Sequence, residues 1–235
     1  AKGRMVAAVE MIVGMARTPD KIAGGQPKNQ ITAFVVDINT PGVEVVTRCR
    51  EFLPEWHQGA FEDPRTELRY LDARKYLEET SETFDVVIID ISEPIEEGPA
   101  YLLFTREFYE VVRERLSPAG VISLQAGTVS LNDLECFAAI QKTLEEVFPV
   151  VAPCWASVPS FALPWGFSVA SKQQDPRHLT PEDVDKLVAD RIVGELRYYD
   201  GITHQASFLL PKHIRTRLDS EARIIEDNHP LYTWS

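Results

Sequence analysis

Apolar residues in the first half of the chain fall into two alternating rhythms. Four short, nearly continuous runs read as strands buried on both faces: "ITAFVVDI" (31–38), "ELRYLDA" (67–73), "FDVVIID" (84–90) and "GVISLQA" (120–126). Between them, apolar positions recur at spacings of three and four, as helices require. "PGVEVVTRCREFLPEW" carries Val43, Val46 and Cys49, and "ARKYLEET" is a short helix. "TREFYEVVRERL" sets Phe108, Val111, Val112 and Leu116 on one side before "SPAG" stops it. "SLNDLECFAAIQKTLEEVF" aligns Leu134, Phe137, Ile140, Leu144 and Phe148. Alternation of this kind predicts an α/β fold with a mostly parallel sheet and helices on both faces.

The second half is more mixed. "VVAPCWASVP" and "WGFSVAS" read as strands. "TPEDVDKLVADRI" is a helix with Thr180 as its cap, Pro181 in its first position and acids in its first turn. "ASFLLPKHIRTRL" reads as a strand running into a helix. The opening segment "EMIVGMARTPDKIAGGQPKN" admits two readings: a strand over 10–14 followed by a loop, or a helix from Met5 to Ala16; Gly24 and Gly25 then make a turn. No repeat or low-complexity linker divides the chain, so residues 1–235 are expected to form a single domain, with 1–30 the least defined part.

Composition narrows the function classes. No apolar run approaches the ~18–20 residues of a membrane span. The stretch "AKGRMVAAVEMIVGMA" is broken by Glu10 and is not read as a secretory signal. Cys49, Cys136 and Cys154 have neither a metal-like spacing nor an even count, which points to reduced thiols in a cytoplasmic protein. The five histidines show no ligand spacing, so no metal site is expected; His57 reads as part of a helix-to-loop packing segment. A net charge of −12 argues against a nucleic-acid partner and is compatible with a cationic ligand.

The candidate chemistry lies where strands end. Asp37, Asp72 and Asp90 each stand at the carboxyl end of a predicted strand, where open α/β sheets bind ligands. An acid after the second strand of a nucleotide-binding fold accepts ribose hydroxyls, which suits Asp37; Asp72 is placed to accept from a base amine. Each acid has a plainer alternative as the cap of the following helix. After Asp90 come Glu93, Glu96 and Glu97, a cluster that repels itself unless it faces water or a cation.

The segments "LPEWHQGAFEDPRTEL", "LDARKYLEE", "FDVVIIDISEP", "EEGPAYLLFTREFY" and "LQAG" resemble the core of the polyamine aminopropyltransferases, the spermidine and thermospermine synthase family. "ASFLLPK" and "DNHPLYTW" resemble the family's closing segments. The resemblance implies a Rossmann-like, class I methyltransferase-like fold. It also implies transfer of an aminopropyl group from decarboxylated S-adenosylmethionine, the cosubstrate, to a diamine or polyamine, with release of methylthioadenosine and no prosthetic group. Carried over residue by residue, Asp37 with Ile38 holds the ribose. Asp72 with Ala73 reads the adenine edge, and Pro99 with Ala100 packs on it. Asp90 takes the proton of the attacking amine. Glu93 stands where the family has a second aspartate that binds the polyamine. Phe161 and Trp165 match the family's hydrophobic wall, with ordinary core packing as the alternative. Gln125 either meets substrate or ties down a loop. The family commonly forms dimers or tetramers, so a homo-oligomer is expected.

Two features depart from the family pattern. The family's small N-terminal β domain has no counterpart ahead of the matching segments. The glycine-rich loop is matched only by "IVGMARTPD", in which Gly14 survives, Met15 and Ala16 replace glycines, and Arg17 falls near the family's acid. Three readings therefore stand: an active aminopropyltransferase with an unusual loop, an inactive relative serving as a binding or regulatory partner, or a methyltransferase-like protein using S-adenosylmethionine itself.

Overall fold

The computed structural model describes residues 11–17, 30–35, 42–64, 66–96, 98–192 and 195–233. Among these, β1 (Met11–Arg17), β2 (Gln30–Val35), β3 (Thr66–Tyr70), β4 (Phe84–Ile91), β5 (Leu116–Thr128), β6 (Val150–Val158) and β7 (Leu163–Ser171) form one sheet in the order β3-β2-β1-β4-β5-β7-β6. β2 pairs parallel with β3, and β4 with β5. β1 is antiparallel to both β2 and β4, and β7 to both β5 and β6. β2 through β6 therefore run one way and β1 and β7 the other. Because each reversed strand stands between two aligned ones, four of the six pairings are antiparallel and the sheet is mixed, not mostly parallel as the alternation predicted.

The helices are α1 (Gly42–Phe52), α2 (Pro54–His57), α3 (Ala73–Glu79), α4 (Arg106–Arg115), α5 (Glu135–Val147), α6 (Pro181–Arg191), α7 (Gly201–Phe208) and α8 (Lys212–Ser220). The crossover through α1 moves outward from β2 to β3, and the crossover through α4 moves the opposite way, from β4 to β5. Parallel crossovers are right-handed, so these two helices cover opposite faces. The core joins Phe84, Val87 and Ile89 of β4, Phe108, Tyr109 and Val112 of α4, and Phe137, Ile140 and Leu144 of α5, all buried. Each such side chain contributes about 1.5–3 kcal/mol on burial. Among the described residues, no helix is long and apolar enough to cross a membrane.

Past α8 the chain returns across the molecule. Arg106 N donates to Ile225 O at 2.8 Å, and Ile225 N donates to Thr143 Oγ1 at 2.9 Å. Thr233 then reaches the loop after β4, where its N and Oγ1 donate to Pro94 O at 2.7 and 2.9 Å.

Three further expectations change. The opening segment takes the strand alternative and not the helix, and the strand runs on through Arg17, past the expected end at Gly14. "ASF" closes α7 instead of forming a strand: Asp200 accepts from Thr203 N, and the buried His204 is held between Tyr199 OH (2.6 Å) and Pro176 O (2.8 Å). "SPAG" ends α4 as expected but already belongs to β5, with a register shift against β4 between Phe84 and Val86.

Candidate active site

The carboxyl ends of β2, β3, β4 and β5 meet at one edge. Ile12 of β1 lies opposite both Val35 and Asp90, and Val35 pairs with Tyr70, so these residues stand level across the sheet. Asp90 occupies the next-to-last position of β4. Val87, Ile89 and Ile91 are buried on one face of that strand, while Asp90 shares the less covered face with Val86 and Ile88. Its carboxylate has no hydrogen bond or ion pair with any described residue, and burial raises its pKa above the usual aspartate range. Glu93 is also half-buried, and its pKa is raised first by desolvation and then by the charge of Asp133. Two strand-end carboxylates thus stand partly dry, without a cation beside them among the described residues.

Gln125 follows Leu124, which is in register with Ile89, and so stands beside Asp90. It takes the loop-tying alternative. Its Nε2 donates to Ile91 O at 2.6 Å, and its Oε1 accepts from Gly127 N at 3.0 Å and from Trp165 Nε1 at 2.9 Å. One side chain therefore fixes the segment leaving Asp90, the end of β5 and the start of β7. Phe161 packs against Trp165, ring centroids 4.5 Å apart, and is half exposed. The pair forms an aromatic wall on the same edge.

On the other side, Asp72 caps α3, accepting from Lys75 N at 3.1 Å through Oδ1. Its second oxygen has no hydrogen bond from a described residue, so the cap leaves an acceptor free. Ala73 opens α3 and is fully buried, as is Ala100 in the 3-10 turn Pro99–Leu103, where Pro99 takes the first position. Asp37 and Ile38 lie outside the described residues.

Gly14 is a correction. It sits in the middle of β1, paired with Ala33 and Ile88, and not in a loop. Because β1 is antiparallel, its carboxyl end at Arg17 pairs with Gln30, at the edge opposite Asp90. Neither residue stands at the edge that carries Asp90.

Two residues escaped the sequence reading. Asp133, just ahead of α5, acts on Glu93 through its charge. Arg74, inside the matched "LDAR", binds Asp227 with a two-pronged contact at 2.9 and 2.6 Å. Asp133 reads as a helix-start acid, and nothing local announces a partner so far along the chain. A cavity of about 420 Å³ lies elsewhere, lined in part by Lys142, Pro153, Arg177, Arg215 and Asp219. It contains none of the strand-end acids, so chemistry and not volume selects the β4 edge.

Residues 29–180 match the family model for the spermine/spermidine synthase domain. The chain belongs to that family. Its match to the polyamine aminopropyltransferase of Sulfurisphaera tokodaii is 40% identical over 187 residues, covering 80% of this chain and 61% of that protein. Polyamine aminopropyltransferase 2 of Pseudomonas aeruginosa is 41% identical over 201 residues, covering 85% and 56%. Among solved structures, a spermidine synthase in complex with the transition-state analogue AdoDATO superposes with a TM-score of 0.68 at 28% identity, covering 80% of this chain and 60% of that one. The spermidine synthase of Thermotoga maritima gives 0.65 at the same identity and coverage. The chain spans about three fifths of the length of these relatives. The Rossmann-like spermidine synthase fold is thereby established for this member.

Proposed function

We propose that the chain carries the catalytic part of a polyamine aminopropyltransferase, which moves an aminopropyl group from decarboxylated S-adenosylmethionine to a diamine or polyamine. The observation that carries the reading is Asp90: a half-buried carboxylate, unpaired among the described residues, at a strand end beside Glu93 in a chain of this family. An alkylammonium is no nucleophile until it loses a proton. A desolvated carboxylate holds a proton more readily than one in water, which suits Asp90 to accept it. The freed amine attacks the carbon next to the sulfonium, and a C–N bond forms. The C–S bond breaks, its electron pair neutralises sulfur, and methylthioadenosine leaves. Alignment supplies the rest of the acceleration.

The other positions divide into two ends. Asp37 and Ile38 hold the ribose, and Asp72, Ala73, Pro99 and Ala100 flank the adenine. Glu93, assisted by the nearby charge of Asp133, holds a substrate ammonium. Phe161 and Trp165 wall the methylene chain, where aromatic faces also suit ammonium groups. The mid-strand place of Gly14 favours a second reading, a family member that binds these ligands without turnover.

Amine-dependent release of methylthioadenosine, followed by mass spectrometry with putrescine, agmatine, spermidine and no amine, separates the two. Turnover is expected with at least one amine. Asp90→Asn is expected to lower kcat by about 10²–10⁴-fold while methylthioadenosine binding stays within about threefold, less than a 1.4 kcal/mol change. Binding without turnover in the unmodified protein selects the second reading, and neither binding nor turnover overturns both.

A further inference from the structure

Arg74 follows Ala73 in the first turn of α3, and its side chain is 18% exposed. Its guanidinium is nearly saturated. Nε donates to Glu78 Oε1 at 3.0 Å, Nη1 to Leu102 O at 3.0 Å and Asp227 Oδ1 at 2.9 Å, and Nη2 to Asp227 Oδ2 at 2.6 Å. Little donor capacity remains for a ligand, so the residue acts on its neighbours. Leu102 belongs to the Pro99–Leu103 turn. No backbone hydrogen bond joins that turn to α3 among the described residues. Beyond the shared packing of Ala73, Leu77, Ala100 and Leu103 in the core, the Arg74 guanidinium ties the segment carrying Asp72 and Ala73 to the segment carrying Pro99 and Ala100 by a directional hydrogen bond. Its counter-charge comes from the C-terminal tail, where the Asp227 carboxyl is held below its usual range first by this contact.

We propose that Arg74 and Asp227 are a positioning pair for the adenosine end of the cosubstrate. The pair sets the spacing of the two segments that flank the adenine, and the tail locks that spacing by closing on Arg74. This rests on the aminopropyl-transfer reading of the edge. A lysine keeps the charge but lacks the planar fork that reaches a carboxylate and a carbonyl together. Loss of the fork lets the turn and α3 drift apart, which weakens what lies between them. The amine end, around Glu93 and Trp165, is held separately by Gln125 and Thr233.

Calorimetric titration of methylthioadenosine into the unmodified protein, Arg74→Lys, Asp227→Asn and Arg177→Lys tests this, with thermal midpoints recorded for each. Arg177 forms a two-pronged contact with Asp175 away from the site and controls for loss of an ion pair as such. Arg74→Lys and Asp227→Asn are expected to weaken binding about tenfold, equivalent to ~1.4 kcal/mol, and Arg177→Lys less than about twofold. In turnover, the first two raise the KM for decarboxylated S-adenosylmethionine about tenfold, while kcat and the amine KM move less than about threefold, the pattern of lost uniform binding. Equal binding by all four proteins, even with lowered midpoints, overturns the pair while leaving the activity reading intact. No binding by the unmodified protein overturns both.

Discussion

Asp90 and Glu93 carry charge where the protein gains nothing structural from it. Burial raises the pKa of each, so ionisation is less favourable in the folded chain than in the unfolded one. The stability of the fold therefore falls as pH rises from the ordinary carboxylate range through the raised folded values. Asp90→Asn removes that penalty. Its thermal midpoint should exceed that of the unmodified protein at neutral pH, and the gain should vanish on acidification, where Asp90 is protonated in both states. A midpoint unchanged at neutral pH contradicts the desolvation assigned to this carboxyl. Gln125 illustrates the opposite economy. Both ends of its amide are hydrogen-bonded, so its position beside Asp90 serves to hold three segments in place.

Elements are held by local rules wherever sequence neighbours satisfy them. Thr180 and Asp183 form a reciprocal capping box at α6, and Thr105 caps α4 by accepting from Phe108 N. Between elements, close approach decides. Gly201 opens α7 with its N–H on Asp185 Oδ1 at 2.7 Å, and any Cβ there would collide with the Pro181 carbonyl oxygen. Because backbone cannot swing aside as a side chain can, Gly201→Ala should cost about 3 kcal/mol, at the upper end for overpacking. Urea unfolding would read it as a lower midpoint with the slope unchanged. β1 shows the limit of local rules. "MIVGMAR" is recognisably strand-forming, but its direction is fixed only by the partners on either side, β2 and β4.

Across the whole molecule, the tail from Glu221 to Thr233 ties the helical layer to both ends of the candidate site. Asp227 meets Arg74, Thr233 meets Pro94, and Ile225 is buried in the core with its N–H on Thr143. Thr143→Val keeps the shape but leaves that buried N–H without its acceptor, at a cost of about 1–3 kcal/mol. Hydrogen exchange should then speed at Ile225 and neighbouring tail amides more than in β4; uniform acceleration would show that the tail is not a separate unit.

By itself the sequence determined β2 to β5 and the helices between them, the α/β class, and Asp72 and Asp90 at strand ends. Those depend on apolar periodicity and on caps, which neighbouring residues express directly. "ASFLLPK" was misread because its short apolar run fits a strand as well as a buried helix turn, and tertiary contacts around His204 settled it. The antiparallel direction of β1, and with it the removal of Gly14 from the site, depends on pairing with strands distant in sequence. So does the meeting of Arg74 with Asp227, 153 residues apart. Hydrogen bonds of that range leave no periodic trace along the chain; only the folded arrangement brings their ends together.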